Sequence, residues 1–146
     1  MPDPNADNAS DAATTEFIQA SMPLCATLGI TATEASAARV VLSLDWRAEL
    51  CTTAGLLHGG ALMALADAAG GACAFLNLPE GATGTSTIES KTNFLGAVRE
   101  GTVVATATPL HVGRSTIVIE TELRAGPAAT DRLVGKTTQT QTVLRG

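Results

Sequence analysis

AGLLHGGALMALADAAGGACAFLNL, residues 54–78, is small or apolar throughout except at His58, Asp67 and Asn77. Its length invites a transmembrane reading. Asp67 argues against that, because a carboxylate near the bilayer centre costs about 2.5–3.5 kcal/mol or more. The flanks carry Glu49 and Glu80 and no basic cluster. Ala, Leu, Met and Gly dominate, with no β-branched residue, and this favours helix over strand. A helix apolar on every side reads as buried in protein. The stretch therefore predicts one central helix, starting at residues 58–59 and ending before Pro79.

What flanks this helix is of another kind. Residues 84–95, 102–111, 115–123 and 133–144 are rich in Thr, Val and Ile, in places strictly alternating, and read as four strands. The last has a threonine-rich face. Turn signals separate them at 96–101, 112–114 and 126–131. Upstream, residues 29–33 and 39–44 read as a first hairpin. A short helix over 12–21 precedes it, with Pro23 stopping its continuation. Residues 1–11 read as a loose tail and residues 12–146 as a single domain, with no internal repeat and no second hydrophobic nucleus. Two strands, a buried helix and four strands predict an α+β fold in which an antiparallel sheet curls around one helix. The open edges and outer face of such a sheet need cover, and dimerisation is one way to supply it.

Composition narrows the function. The chain has 146 residues, 14 acidic and 9 basic, for a net charge of −5, the wrong sign for non-specific nucleic-acid binding. The aromatics are only Phe17, Trp46, Phe75 and Phe94, too few for base-stacking platforms, and they hint at an aliphatic-lined pocket. Cys25, Cys51 and Cys73 are widely spaced, show no zinc pattern and read as free thiols. The polar, acidic N-terminus does not resemble a signal peptide, so a cytoplasmic location is expected.

LLHGGALMALADAAGG, followed by TIESKTNFLGAVREG and HVGR, resembles the hotdog-fold acyl-CoA thioesterases, most closely the branch that includes the phenylacetate-pathway thioesterase. That group lies within the 4-hydroxybenzoyl-CoA thioesterase superfamily. The resemblance covers residues 17–144. It implies a helix wrapped by an antiparallel sheet, dimers that often pair into tetramers, and hydrolysis of acyl-CoA. CoA is then part of the substrate, and no cofactor or metal is expected. No nucleic-acid or membrane partner is implied.

Chemistry follows at the helix. Gly59 and Gly60 sit where a helix N-terminus leaves unpaired N–H groups and partial positive charge. By resemblance, the Gly59 N–H polarises the thioester oxygen. Asp67, nine residues after His58, is out of place among Leu65, Ala66, Ala68 and Ala69. Its expected role is a carboxylate at the acyl carbon, as general base on water or as nucleophile through an anhydride. Eight residues of helix span roughly 12 Å, so one carbonyl group cannot touch both Gly59 and Asp67 of one chain. If both act, they come from two chains across a two-fold axis.

His58 is expected to position rather than to act as a base. Gly70 and Gly71 share the face of Asp67 and leave room for an acyl group, with Met63 as a further lining residue. The family often has Asn six residues before this His, where Thr52 stands here. Ser86 or Thr87, with spacing favouring Thr87, supplies the family's hydroxyl on the next strand. Arg114 with Ser115, in the HVGR turn, is a candidate for the CoA phosphates, ahead of Lys91, Asn93 and Arg99. Two other readings stay open: a hotdog hydratase or dehydratase, and a non-catalytic acyl-CoA-binding dimer. The hydratase pattern of Asp followed five residues later by His is absent, since that place is Ala72.

Overall fold

In the computed structural model, which describes residues 10–126 and 132–146, the chain follows the expected order with one added helix. Helix α1 is Ala12–Ser21 and α2 is Pro23–Leu28. Strands β1 and β2 are Thr31–Ala35 and Val40–Asp45. Two single-turn 3-10 segments lead to α3, Gly59–Leu76. Strands β3 (Gly84–Phe94), β4 (Thr102–Val112), β5 (Thr116–Ala125) and β6 (Arg132–Leu144) complete the chain. All pair antiparallel in one six-stranded sheet of order β1-β2-β4-β5-β6-β3.

Pro23 does stop α1, but it also opens α2 as its first residue, where a missing N–H costs nothing. Gly29, at φ 72°, caps α2 in the left-handed region and delays β1 to Thr31. Residues 1–9 of the expected tail, and residues 127–131 of the last expected turn, lie outside the described residues. Asp11, assigned to the tail on sequence, is held: its side chain caps α1 and its N–H donates to Ala32 O at 2.8 Å. Thr15 and Gln19 also bond β1 backbone, at Ala32 N and at Ile30 O just before the strand. Edge strand β1 is thus covered by α1, whereas the opposite edge, β3, stays open in the single chain.

Helix α3 packs on strands β2 to β6. Its small residues Ala66, Ala69, Cys73 and Ala74 are fully buried and let the helix lie close to the sheet, while Leu62 and Leu65 fill the space towards Leu42, Leu44, Ile117, Ile119 and Leu123. By length and composition α3 is apolar enough to cross a membrane, but half of it is buried against its own sheet. The expectation of burial on every side is corrected. Gly60, Met63 and Asp67, three and four residues apart, and Phe75, two turns further on past half-buried Gly71, form an exposed stripe along the face turned away from the sheet. The far face of the sheet needs little cover, since it carries the ion pairs Lys136–Glu120 and Arg124–Glu122. Pro109 is tolerated in β4 because β2 pairs only as far as Ala107, so its missing N–H interrupts no ladder.

Candidate active site

The loop before α3 is pinned by Trp46, whose indole N–H donates to Gly55 O at 3.0 Å, and by a bridge between Cys51 and Leu57. It delivers His58 as the N-cap. His58 Nδ1 accepts the Gly60 N–H at 2.8 Å, and the His58 carbonyl accepts from Ala61 and Leu62. The positioning role expected of His58 is therefore visible as a cap. The Gly60 amide is consumed by it, which removes Gly60 from the list of groups that could hold a substrate oxygen through N–H. The Gly59 N–H has no partner among the described residues. A side chain at Gly59 would press on the Phe94 ring, 3.2 Å from the nearest carbon.

Asp67 sits two turns along the helix. One flank is exposed on the stripe; the other is turned into the sheet. Gln139 Nε2 donates to Asp67 Oδ1 at 2.6 Å and to Thr87 Oγ1 at 3.1 Å. Gln141 Nε2 donates to the same Thr87 oxygen at 2.6 Å. Thr87 Oγ1 thus accepts two amide protons, and its own proton serves the carboxylate. Thr85 Oγ1 donates to Gln141 Oε1 at 2.8 Å and closes the network. Burial raises the pKa of Asp67 above the usual aspartate value, and the hydrogen bonds from Thr87 and Gln139 pull it back part of the way. Cys25 is raised by burial and by the Asp67 charge, and burial pushes Cys73 up to about 11, so both buried thiols stay protonated.

Beside Asp67 opens a cavity of about 460 Å³. Gly71, Phe75 and Leu76 of α3 form one wall, Phe17, Ile18 and Met22 another, and Thr85, Thr87 and Gln141 the floor. Several sequence expectations are corrected by it. Phe17 and Phe75 both line it, so the pocket is not purely aliphatic. Met63 does not line it, being a turn too early on the stripe. Ser86 falls on the other face of β3, as alternation requires, which leaves Thr87 as the strand hydroxyl. Gly70 and Gly71 do different things. Gly71 has nothing within 4 Å of where a Cβ would stand and faces the open cavity. Gly70 faces the sheet, and the space beside it is already filled by Gln139, whose Oε1 would lie 1.9 Å from an added Cβ.

Other expected residues lie elsewhere. Thr52 is exposed in the loop ahead of α3, bonding Leu56 O through its N–H, and does not line the cavity. Arg114 is exposed in the β4–β5 turn, with no side-chain hydrogen bond or ion pair among the described residues. Its carbonyl accepts from Arg145, and Ser115's carbonyl accepts from Val143. Arg145, overlooked in the sequence, also donates to Glu80 O and brings a second guanidinium to this end of the sheet. Arg99 is bonded to Ala54 O, away from Asp67. A larger hollow of about 630 Å³, lined by Arg99, Glu100 and Arg132, is bordered by neither Asp67, Gly59 nor Thr87.

The carboxylate and the unpaired amide thus lie two turns apart on one helix. Together they can supply a proton acceptor or nucleophile and a donor for negative oxygen, each at its own end. The chief omission on sequence is the glutamine pair. Gln139 and Gln141 stand two apart on β6 at inward positions, 0% and 2% exposed. Two amides at core positions of an alternating strand were the available signal.

The chain was compared with known proteins. A family model described as the thioesterase superfamily matches residues 54–130. The esterase-named protein ComA2 of Bacillus subtilis is 40% identical over 91 residues, covering 62% of this chain and 72% of that protein. A thioesterase structure from Haemophilus influenzae superposes with a TM-score of 0.80 at 26% identity, covering 93% of this chain and 94% of that one. A thioesterase family protein from Silicibacter pomeroyi gives a TM-score of 0.81 at 28% identity, over 92% and 98%.

Proposed function

The chain belongs to the thioesterase superfamily and hydrolyses thioesters, and from that premise we propose that its substrate is an acyl- or aryl-CoA, cleaved by Asp67 with help from the Gly59 N–H of a second copy. The observation that carries the reading is the Asp67 carboxylate, fixed by Gln139 and Thr87 at the mouth of a partly apolar cavity. The acyl group lies in that cavity, against Gly71, Phe75 and Phe17. The carbonyl carbon then faces Asp67. Either Asp67 takes a proton from water, whose oxygen attacks the carbonyl carbon, or its oxygen attacks directly and water cleaves the resulting anhydride. In both routes the C–S bond breaks, CoA leaves as the thiolate and takes up a proton.

Negative charge gathers on the carbonyl oxygen in either route. The group suited to it is the Gly59 N–H, which none of the described residues engages, at the positive end of α3. Distance along the helix keeps it from Asp67 of the same chain. A second copy covering the exposed stripe of α3 and the open edge of β3 solves both problems at once. It buries Met63, Phe75 and the neighbouring Ile88, and it brings the two helix regions together antiparallel. Arg114 is the candidate for the CoA phosphates, with Arg145 beside it.

A panel of acyl-CoA esters, read by release of free thiol, tests the proposal. Turnover by the natural chain and none by Asp67→Ala supports it. Loss of the thioester-conjugated absorbance without thiol release indicates a hydratase instead. Wild-type turnover in Asp67→Ala overturns the role of the carboxylate.

A further inference from the structure

We propose that Gln139 is a positioning residue for the Asp67 carboxylate, and that Gly70 is glycine in order to admit its amide. The inference rests on Asp67 being the reacting carboxylate. Gln139 is 0% exposed, on a sheet face built, apart from its neighbour Gln141, mainly of Ala, Val, Leu, Ile and Thr. Its Nε2 bridges Asp67 and Thr87. Its Oε1 is buried with no hydrogen-bond partner. A buried carbonyl without a donor is a cost, so an amide retained only for packing has no reason to persist here. The orientation is explained by the other end: turning the amide over would aim Oε1 at a carboxylate and a hydroxyl already accepting from Gln141.

Helix α3 has made room for this side chain. A Cβ at residue 70 would lie 1.9 Å from Gln139 Oε1 and 3.0 Å from its Cδ. Glycine in mid-helix is unfavourable relative to alanine, and no turn or positive φ requires it here. The amide, wedged between Gly70 and Asp67, holds the carboxylate where both Gln139 and Thr87 reach it. The groups facing Asp67 from the other elements are the Cys25 thiol of α2, held protonated, and the neutral Thr87, Gln139 and Gln141. The acid limb of the rate profile therefore reports Asp67 and the donors on it.

The test compares Gln139→Met, which keeps the length and loses the N–H, with Gly70→Ala, Gln139→Ala and Gly70→Ala/Gln139→Ala. For Gln139→Met, kcat falls about a hundredfold, as expected when a reacting group is misplaced by an ångström, while KM changes little. The acid limb of kcat/KM moves up by about one pH unit, because a donor to the charged form is gone. Gly70→Ala alone lowers kcat comparably by pushing the amide off Asp67. In the Gln139→Ala background it adds less than about a twofold loss, since the clashing atoms are absent. If Gln139→Met does not fold, Gln139→Glu keeps the shape and replaces a donor by an acid, and the limb moves up further. An unmoved acid limb with wild-type kcat, or losses at Gly70 and Gln139 that simply multiply, overturns the inference. Asp67→Ala separates the two levels. If it is inactive while Gln139→Met behaves as wild type, only the positioning role falls; if it remains active, the proposed function falls first.

Discussion

Replacing Gly59 by proline removes one atom of consequence, the unpaired amide hydrogen. Gly59 is the first residue of α3, and proline is favoured at that position because its N–H has no helical partner. The residue before a proline must be extended, and His58 already is, at φ −65° and ψ 135°. The atoms nearest an added Cβ belong to Phe94, which is 50% exposed and free to move aside. Stability should therefore stay near wild type. If the amide stabilises charge on the thioester oxygen, its loss costs about 2.7–4 kcal/mol of the transition state, or 10²–10³ in kcat. The assay is thiol release from a saturating acyl-CoA, with Tm as the check on folding. Gly59→Ala is the control: it adds the same contact with Phe94 but keeps the N–H, and it should retain most of the activity. A folded Gly59→Pro enzyme within about threefold of wild type would refute the assignment.

Gly71→Leu places four carbons at the cavity beside Asp67, the first of them in open space. At about 0.8 kcal/mol for each methylene no longer buried, kcat/KM for the longest acyl groups drops about two-hundredfold while short acyl groups are spared. An unchanged chain-length profile would place the acyl group elsewhere. Asp67→Asn abolishes turnover yet raises Tm at neutral pH. The sign follows from the raised pKa. The folded state holds the Asp67 proton more tightly than the unfolded chain, so this contribution to stability is present in acid and lost as pH rises through the folded value. In thermal melts across that range, the slope assigned to Asp67 disappears in the variant; an unaltered slope would show that the carboxylate is not desolvated. Arg114→Ala raises KM for acyl-CoA but leaves kcat, and the effect weakens for a substrate lacking the nucleotide phosphates; equal effects on both substrates would exclude a phosphate contact.

Much of the fold was legible because its decisive elements have strong local signatures. The Ala-, Leu- and Gly-rich run within residues 54–78 reads as a helix from composition alone, and the alternating β-branched runs after Gly84 had no helical reading. What escaped depends on neighbours distant in sequence. Pro23 marks both the end of one helix and the start of another, and only the packing of α2 decides the second. Apart from Asp67, the exposed stripe through Gly60, Met63 and Phe75 is no more polar in sequence than the buried side of α3, so its exposure could not be read there. At the site, Asp67, Gly59 and Thr87 stood out by being odd where they are, or through the resemblance. Gln139 did not, because its importance lies in reaching across from β6 to α3. The different tasks of Gly70 and Gly71 follow from the same crossing and from nothing in their own vicinity.

The proposed reaction centre draws on two chains, and mixing two dead variants tests that most directly. Gly59→Pro chains keep a working Asp67, and Asp67→Ala chains keep a working Gly59 amide. When the two are unfolded together and reassembled in equal amounts, half of the dimers carry one chain of each kind and one intact centre made from both. The mixture should recover roughly a quarter of wild-type turnover, as two-fold symmetry with shared sites demands. Activity no greater than the sum of the separate variants, from an assembly shown by mass to contain both chains, would mean that each centre is built within a single chain.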